Sequence, residues 1–460
     1  MENIKRYLKL LNKYNEFDLA YLYGHRTKDL DYLVNTSKSK PYIRIISLVY
    51  FLLKRISFGN DINKGGILIY AGTFNQLNSI LSTYSELDRL GGSPTLLIEP
   101  NLKKICIDKK ISFTVLSFSI KNVIGAIFLN VIRFRFIFSK HKEVSGFRNC
   151  FDYFFKSHYY INYFSHLIDY MKPEGVLVSN DHNVSNRTLL KVAKQFKVKS
   201  FYIQHASVSH LFPKLDMDFA LLDGTQALNA YRCNKKGINK TSVFLSGVKN
   251  SLSKLEIKPL SEDLSVGLAL NSLDNIGKVC QLIDTAIEKN IYLRVRFHPS
   301  QDASYINYII SRYDSEINIK FTTPREESIE YYFSNITGII AGNTGIHLEA
   351  SLSGILSIYF DFSEDGKYFD YYGFVKNGIS LNCDHVSDVF NFFIGDYSMK
   401  RDMIENIQSY SSTFGTKWQG NEGELSARVI MDTYDKWLFI EREYYVDKKN
   451  NEKIFNLRRV

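Results

Sequence analysis

Three short stretches of this chain combine residue types that can hold a phosphate, donate hydrogen bonds or move a proton. In the run from Ile339 to Gly354 (IIAGNTGIHLEASLSG), a β-rich segment is followed by a turn of small residues, Gly342-Asn343-Thr344-Gly345, and then by a helical pattern. Such a turn presents backbone N–H groups at a helix N-terminus, where orphan donors and the helix dipole favour a phosphate. Glu349 follows about one helical turn after Gly345, the spacing at which a carboxylate reaches ribose hydroxyls beside that phosphate. The same letters also spell an ordinary αβ turn punctuated by glycine. In the second stretch, Arg296-Phe297-His298-Pro299-Ser300, Arg296 and His298 share one side of a strand end and the His-Pro step stays extended. It offers donors to a nucleotide phosphate or base. The third set follows apolar runs in the first half of the chain: Asn180-Asp181-His182, and His205 with Ser207, Ser209 and His210 close behind.

Displacing a phosphate-bearing leaving group requires a base for the incoming hydroxyl, and positive charge or dipoles for the departing oxygen. Asp181, His182 and His205 are the groups available. Asp181 reads as a base, as a nucleophile, or simply as the N-cap carboxylate of the next helix. His205 reads as a base or as a phosphate donor. His210 fits a loop histidine without a role, and His347 fits a packed helical residue.

Ligands of open α/β sheets sit beyond the carboxyl ends of the strands, so these residues need strands immediately before them. The sequence provides such strands. Near-continuous apolar runs, the pattern of parallel strands buried on both faces, occur at GGILIYAG, SPTLLIEP, ISFTVLSF, EGVLVSN, KSFYIQH, DFALLDG and SVFLSG, with helical stretches between several of them. A second series follows: LSVGLAL, ending at Asn271 and Ser272, then IYLRVRF, INIKF, TGIIAG and ILSIYF. The expected fold is α/β: two Rossmann-like domains facing a cleft, over residues 61–250 and 251–445, with a helical basic extension over residues 1–60. Val248 to Asp263 reads as the linker, Glu422 to Tyr444 as helical sequence packing back across both domains, and 446–460 as a disordered tail.

The 460 residues are 45% hydrophobic and 23% charged with only 8 prolines, the composition of a chain that folds throughout. Five scattered cysteines without CxxC or Cys/His ligand spacing suit a reducing compartment and argue against structural zinc. No signal peptide is evident, and no DxD stands where a metal would be needed, so neither a cofactor nor an obligatory divalent ion is expected. The net charge of +10 asks for an anionic neighbour. Nucleic acid is disfavoured, because no recognition signature is present. Arg44 to Arg55 and Lys121 to Lys142 are apolar, aromatic segments bracketed by cations. They suit interfacial helices on an anionic membrane, or core helices with solvated ends.

The combination of Gln204-His205 after an apolar strand, the RxHP of Arg296 to Pro299 and the helical Glu349-Ala350 after a small-residue turn resembles bacterial surface-polysaccharide glycosyltransferases of GT-B fold. That group includes Kdo and sialic-acid transferases and teichoic-acid polymerases, and the resemblance covers Gly65 to Asp361. It implies that Arg296, His298, Asn343, Thr344, Gly345 and Glu349 hold a nucleotide donor, with Asn271, Ser272, Pro299 and Ser300 at neighbouring strand ends. It further implies a CMP-activated sugar as the favoured donor, a growing glycan (capsule or O-antigen) or a lipid-linked acceptor on the first domain, and a cytoplasmic enzyme peripheral to the inner face of the cell membrane. Ala206 replaces the glycine common after Gln-His, and no serine-rich turn follows an aspartate. Leu222-Asp223-Gly224 is the sole trace of an acidic-Gly motif. A CDP-dependent polyol-phosphate transferase, a sugar-nucleotide 2-epimerase and an inactive assembly scaffold are the alternatives.

Overall fold

The computed structural model describes residues 2–20, 41–56, 64–139, 147–208, 212–233, 238, 240–249, 265–364, 366, 369–394, 401–447 and 452–458. Ser209, His210 and most of the expected linker lie outside them.

The apolar runs of the first half form β1 (Ile67–Ala71), β2 (Thr95–Ile98), β3 (Thr114–Val115), β4 (Gly175–Val178), β5 (Lys199–Ile203), β6 (Phe219–Leu222) and β7 (Ser242–Leu245). Those of the second half form β8 (Ser265–Ala269), β9 (Tyr292–Arg296), β10 (Ile319–Thr322), β11 (Gly338–Ala341) and β12 (Leu356–Phe360), joined by β13 (Leu381–Cys383). Two further strands, β14 (Tyr444–Asp447) and β15 (Lys453–Leu457), come from the C-terminus. The first sheet runs β14-β15-β7-β6-β5-β4-β1-β2-β3 and the second β10-β9-β8-β11-β12-β13. Every pairing is parallel except β14 with β15. Strand order therefore reverses between β1 and β4 in one sheet and between β8 and β11 in the other, and such switch points open the crevices where α/β folds bind ligands.

Burial on both faces explains the apolar runs. Leu68 and Tyr70 of β1 join the core beneath helices Glu2–Lys13, Phe147–Met171 and Val184–Gln195, while Ile67, Ile69 and Ala71 join the core beneath Phe74–Arg89 and Glu422–Asp432. The N-terminal segment is thus no appended extension, since Tyr7, Leu10, Leu11 and Leu19 belong to the first of these cores. It is also tied in by charge. Arg55 donates to Glu99 just past β2 (Nε–Oε2 2.9 Å), and Glu99 also accepts from Tyr70 (2.7 Å) and Tyr160 (2.9 Å).

The C-terminus departs from expectation. Helix Glu422–Asp432 packs on Phe74–Arg89 and Leu438–Glu443, within the first domain, and the expected tail supplies β15 beside β7. Phe455 stacks on Phe244 at 4.2 Å and Ile454 is buried, so burial of these apolar side chains orders the strand. Crossing between domains falls instead to residues 401–420. Helix Arg401–Tyr410 sits against both Thr225–Cys233 and Ile346–Leu352, and Ser412 donates its amide (2.9 Å) to the Asp223 carbonyl. Gly224 makes the approach possible, because a Cβ there would lie 2.7 Å from the Tyr410 carbonyl carbon.

Candidate functional site

At the β8/β11 switch point the loops of the second domain interlock. Asn271 donates its amide to the Asn343 carbonyl (2.5 Å), and the Asn343 side-chain oxygen accepts from Tyr359 (3.1 Å) and from the Tyr371 amide (3.0 Å). Asp274, half-buried beneath, accepts from the Asn271 amide at 2.6 Å, and desolvation by the surrounding protein pushes its pKa up to about 7. His347 is wholly buried. Its Nε2–H donates to the Gly342 carbonyl (2.8 Å) and Nδ1 meets Ser357 (2.6 Å), so it braces the turn from below; burial lowers its pKa to about 4 and keeps it neutral. The helix after the turn runs Ile346–Leu352, has no side-chain cap, and leaves open space at Gly345. Thr344 is half-buried beside it.

Glu349 is solvent-open yet walled by protein, and that enclosure raises its pKa to about 7 against the opposing pull of Arg296. Arg296 itself is buried, and both of its Nη atoms donate to the Glu327 carbonyl at 3.1 Å. These donors are already engaged, so the guanidinium lies behind Glu349 as its counter-charge rather than as a free phosphate clamp. Neighbouring Arg294 pairs with the Glu327 carboxylate. His298 is partly exposed, with Nδ1 accepting from the Ser300 amide (3.2 Å) and lying 2.7 Å from its hydroxyl. That pattern places the proton on Nε2, free to donate. Pro299 and Ser300 are exposed at the rim, and the Ser272 hydroxyl reaches only Asn271 (3.4 Å).

At the β1/β4 switch point, Asn180, Asp181 and His182 form a closed set of hydrogen bonds. Asn180 Oδ1 accepts the amides of His182 and Asn183 (both 2.9 Å), which turns its Nδ2 toward His182 Nε2 (3.1 Å) and His205 Nε2 (3.5 Å). His182 Nδ1 donates to Asp181 Oδ1 (3.0 Å), and the other carboxylate oxygen accepts from Tyr231 (2.8 Å). The N-cap reading of Asp181 does not hold, because Asn183 caps helix Val184–Gln195 by accepting from the Asn186 amide. Nor is the carboxylate presented as a nucleophile: Asp181 is buried with both oxygens occupied, and it orients His182, whose side chain is 18% exposed. The basic lone pair is therefore that of His182 Nε2. His205 lies beside it, ring centroids 6.0 Å apart. Burial first, then His182, pushes its pKa down to about 4, and its Nδ1 is buried without a hydrogen-bond partner of good geometry. Gln204 and Asp223 act structurally here, with Gln204 Oε1 accepting the Asp223 amide at 2.9 Å.

Tyr231, Asn183 and Asp274 escaped the sequence reading. Asn183 alone had a local signal, as an Asn just before a helical run. Tyr231 is 50 positions from the carboxylate that it meets. Among the described residues, no group of three or more His, Cys, Asp or Glu is placed to hold a metal ion.

Two parallel-sheet domains, each with a switch point in its strand order, define the GT-B fold. Solved structures share it. The chain is similar to the UDP-GlcNAc 2-epimerase of Methanocaldococcus jannaschii, with 14% identity and a TM-score of 0.52 over 80% of this chain and 99% of that one. It is likewise similar to S. aureus MnaA in complex with UDP, with 13% identity and a TM-score of 0.52 over 81% and 97%. At these identities the likeness is one of fold. No protein-family model matches the chain, and no curated protein matches its sequence.

Proposed function

We propose that this chain is a glycosyltransferase, holding a nucleotide-activated sugar on its second domain and a hydroxyl acceptor on its first. The observation that carries the reading is the Asp181–His182 pair at the β1/β4 switch point, which is the arrangement of an oriented general base. The acceptor hydroxyl displaces Asn180 from His182 Nε2 and gives up its proton there as its oxygen attacks the anomeric carbon. The bond from that carbon to the donor phosphate breaks, and the nucleotide leaves with the electron pair. Asp181 steadies the imidazolium that forms. His298 Nε2–H and the uncapped turn at Gly342–Gly345 receive the phosphates, and Glu349 takes the ribose hydroxyls. A CMP-sugar is the favoured donor, and a growing glycan or lipid-linked sugar the acceptor. The reaction belongs to the reducing cytoplasmic side, in keeping with the exposed free thiol of Cys233.

A second reading is 2-epimerisation of a sugar nucleotide, favoured by the name of the M. jannaschii structure of similar fold. Incubation with CMP-, UDP-, GDP- and CDP-linked donors separates the two. Transfer requires an acceptor and releases the nucleotide, whereas epimerisation converts the donor alone. Use of CDP-polyols would replace sugar transfer by polyol-phosphate transfer. If no donor turns over with any acceptor, the chain is a scaffold and the proposal fails.

A further inference from the structure

Among the described residues, exposed large apolar side chains gather on two helices of the first domain, Pro41–Leu53 and Ile120–Ser139. Both lie on helix Phe147–Met171. Arg44 meets Asp152 (3.8 Å) while Phe51 meets Tyr159 and Tyr160; Asn130 bonds Tyr159 (3.4 Å) while Phe134 meets Phe155 and Phe138 meets Phe151. Tyr159 touches both helices, so the two run side by side and antiparallel. Both turn apolar side chains outward, among them Ile46, Val49, Leu53 (67% exposed), Ile124, Phe128 and Val131 (70% exposed).

The charges are sorted about these side chains. Neither Pro41–Arg55 nor Ile120–Ser139 contains a carboxylate. Lys54, Lys121 and Arg135 are exposed, and Lys54 lies over the Tyr50 ring at 4.3 Å. The remaining three cations turn inward: Arg44 faces Asp152, Arg55 donates to Glu99 (2.9 Å), and Arg133 donates to the buried Glu16 (2.7 Å), which also meets His158 (3.0 Å). Helix Ile120–Ser139 has the length and apolarity to cross a membrane, with only 22% of its apolar window buried. Its inner side is nonetheless fixed to the domain from Asn122 to Ile137, and Arg133 is locked to Glu16. A spanning helix would have to break that pair, whereas a helix lying in the head-group plane keeps it.

We infer that this double-helix face docks on an anionic lipid bilayer, apolar side chains entering the interface and the three cations meeting head-group phosphates. Docking is independent of the proposed reaction and is measured without turnover. The full chain is sedimented with vesicles of phosphatidylglycerol and phosphatidylcholine, or of phosphatidylcholine alone. Binding to the anionic vesicles is expected, weakening as salt is raised. Ile46→Glu with Val131→Glu should weaken it by roughly tenfold, at unchanged melting temperature and nucleotide affinity. Neutralising Lys54, Lys121 and Arg135 to Gln should remove the salt dependence. Alkaline carbonate should release the protein from cell membranes, and retention would overturn the interfacial placement in favour of a span. Equal binding by wild type and the Glu variant, or none by either, would overturn the assignment. So would a dimer in light scattering that the Glu variant dissolves while neither protein binds vesicles, because the face would then belong to a second copy.

Discussion

Substitution Asp181→Asn puts the strongest strain on the proposed chemistry. It keeps the shape of the side chain and an oxygen for the Tyr231 hydroxyl, but removes the charge that faces His182 Nδ1 at 3.0 Å. A unit charge about 4 Å from the imidazolium is worth up to about 4 kcal/mol at the effective dielectric of a partly buried site. With His182 18% exposed, solvent screening leaves roughly 2–3 kcal/mol of that. The amide nitrogen can also donate to Nδ1, which forces the proton onto Nε2, where it meets the Asn180 amide and leaves no lone pair for the acceptor. Turnover should therefore fall between about 30-fold and about 1000-fold, without loss of donor affinity, since the donor sits on the other domain. The assay is nucleotide release under saturating donor and acceptor, run as a pH profile beside a melting curve. Activity within about threefold of wild type, at an unchanged melting temperature, would refute the role given to the pair.

Three further outcomes follow from the same geometry. Glu349, with its pKa raised to about 7, is largely neutral below that pH and charged above it. Nucleotide affinity measured by calorimetry should strengthen from about pH 6 to about pH 8 as the ionised carboxylate becomes the stronger acceptor for the ribose hydroxyls, and Glu349→Gln should flatten that slope; an affinity that falls through this range in wild type but not in the Gln variant would contradict the assignment. Glu16 titrates near 2 in the fold: burial opposes this, and Arg133 and His158 outweigh it. Because its pKa is depressed, its contribution is complete above the unfolded value and lost as pH falls toward 2. Glu16→Gln should cost about 3 kcal/mol in denaturant unfolding at neutral pH and little near pH 2. Gly224→Ala forces a methyl group against the backbone at Ser409 and Tyr410. It should lower stability by about 1–3 kcal/mol and expose residues 401–420 to limited proteolysis, whereas unchanged cleavage would show that the crossing does not depend on this contact.

What the sequence disclosed and what it withheld divide along physical lines. Strands buried on both faces leave continuous apolar runs, so β1, β4, β5, β8, β9 and β11 were readable, and with them the residues just beyond each strand. Fold class followed from their alternation with helices. Contacts between distant positions leave no periodic trace, which is why the Tyr231–Asp181 bond and the Arg55–Glu99 pair went unseen. The same limit misled the reading of Arg296 and Asp181: residue type announced the chemistry, but the partners that occupy their polar atoms lie 31 and 50 positions away. β15 is a five-residue strand whose apolar residues find their partner at Phe244, far from the terminus. Helices Pro41–Leu53 and Ile120–Ser139 were visible as apolar segments between cations, and only the fold shows which cations turn inward.

The central claim is that the second domain holds a nucleotide-activated sugar, and saturation-transfer NMR of the purified chain against CMP, CDP, UDP, GDP and their sugar adducts tests it most directly. The account expects selective binding of one nucleotide family, lost in Glu349→Ala and retained in Asp181→Asn. Absence of binding by every nucleotide, or binding indifferent to Glu349, would contradict it.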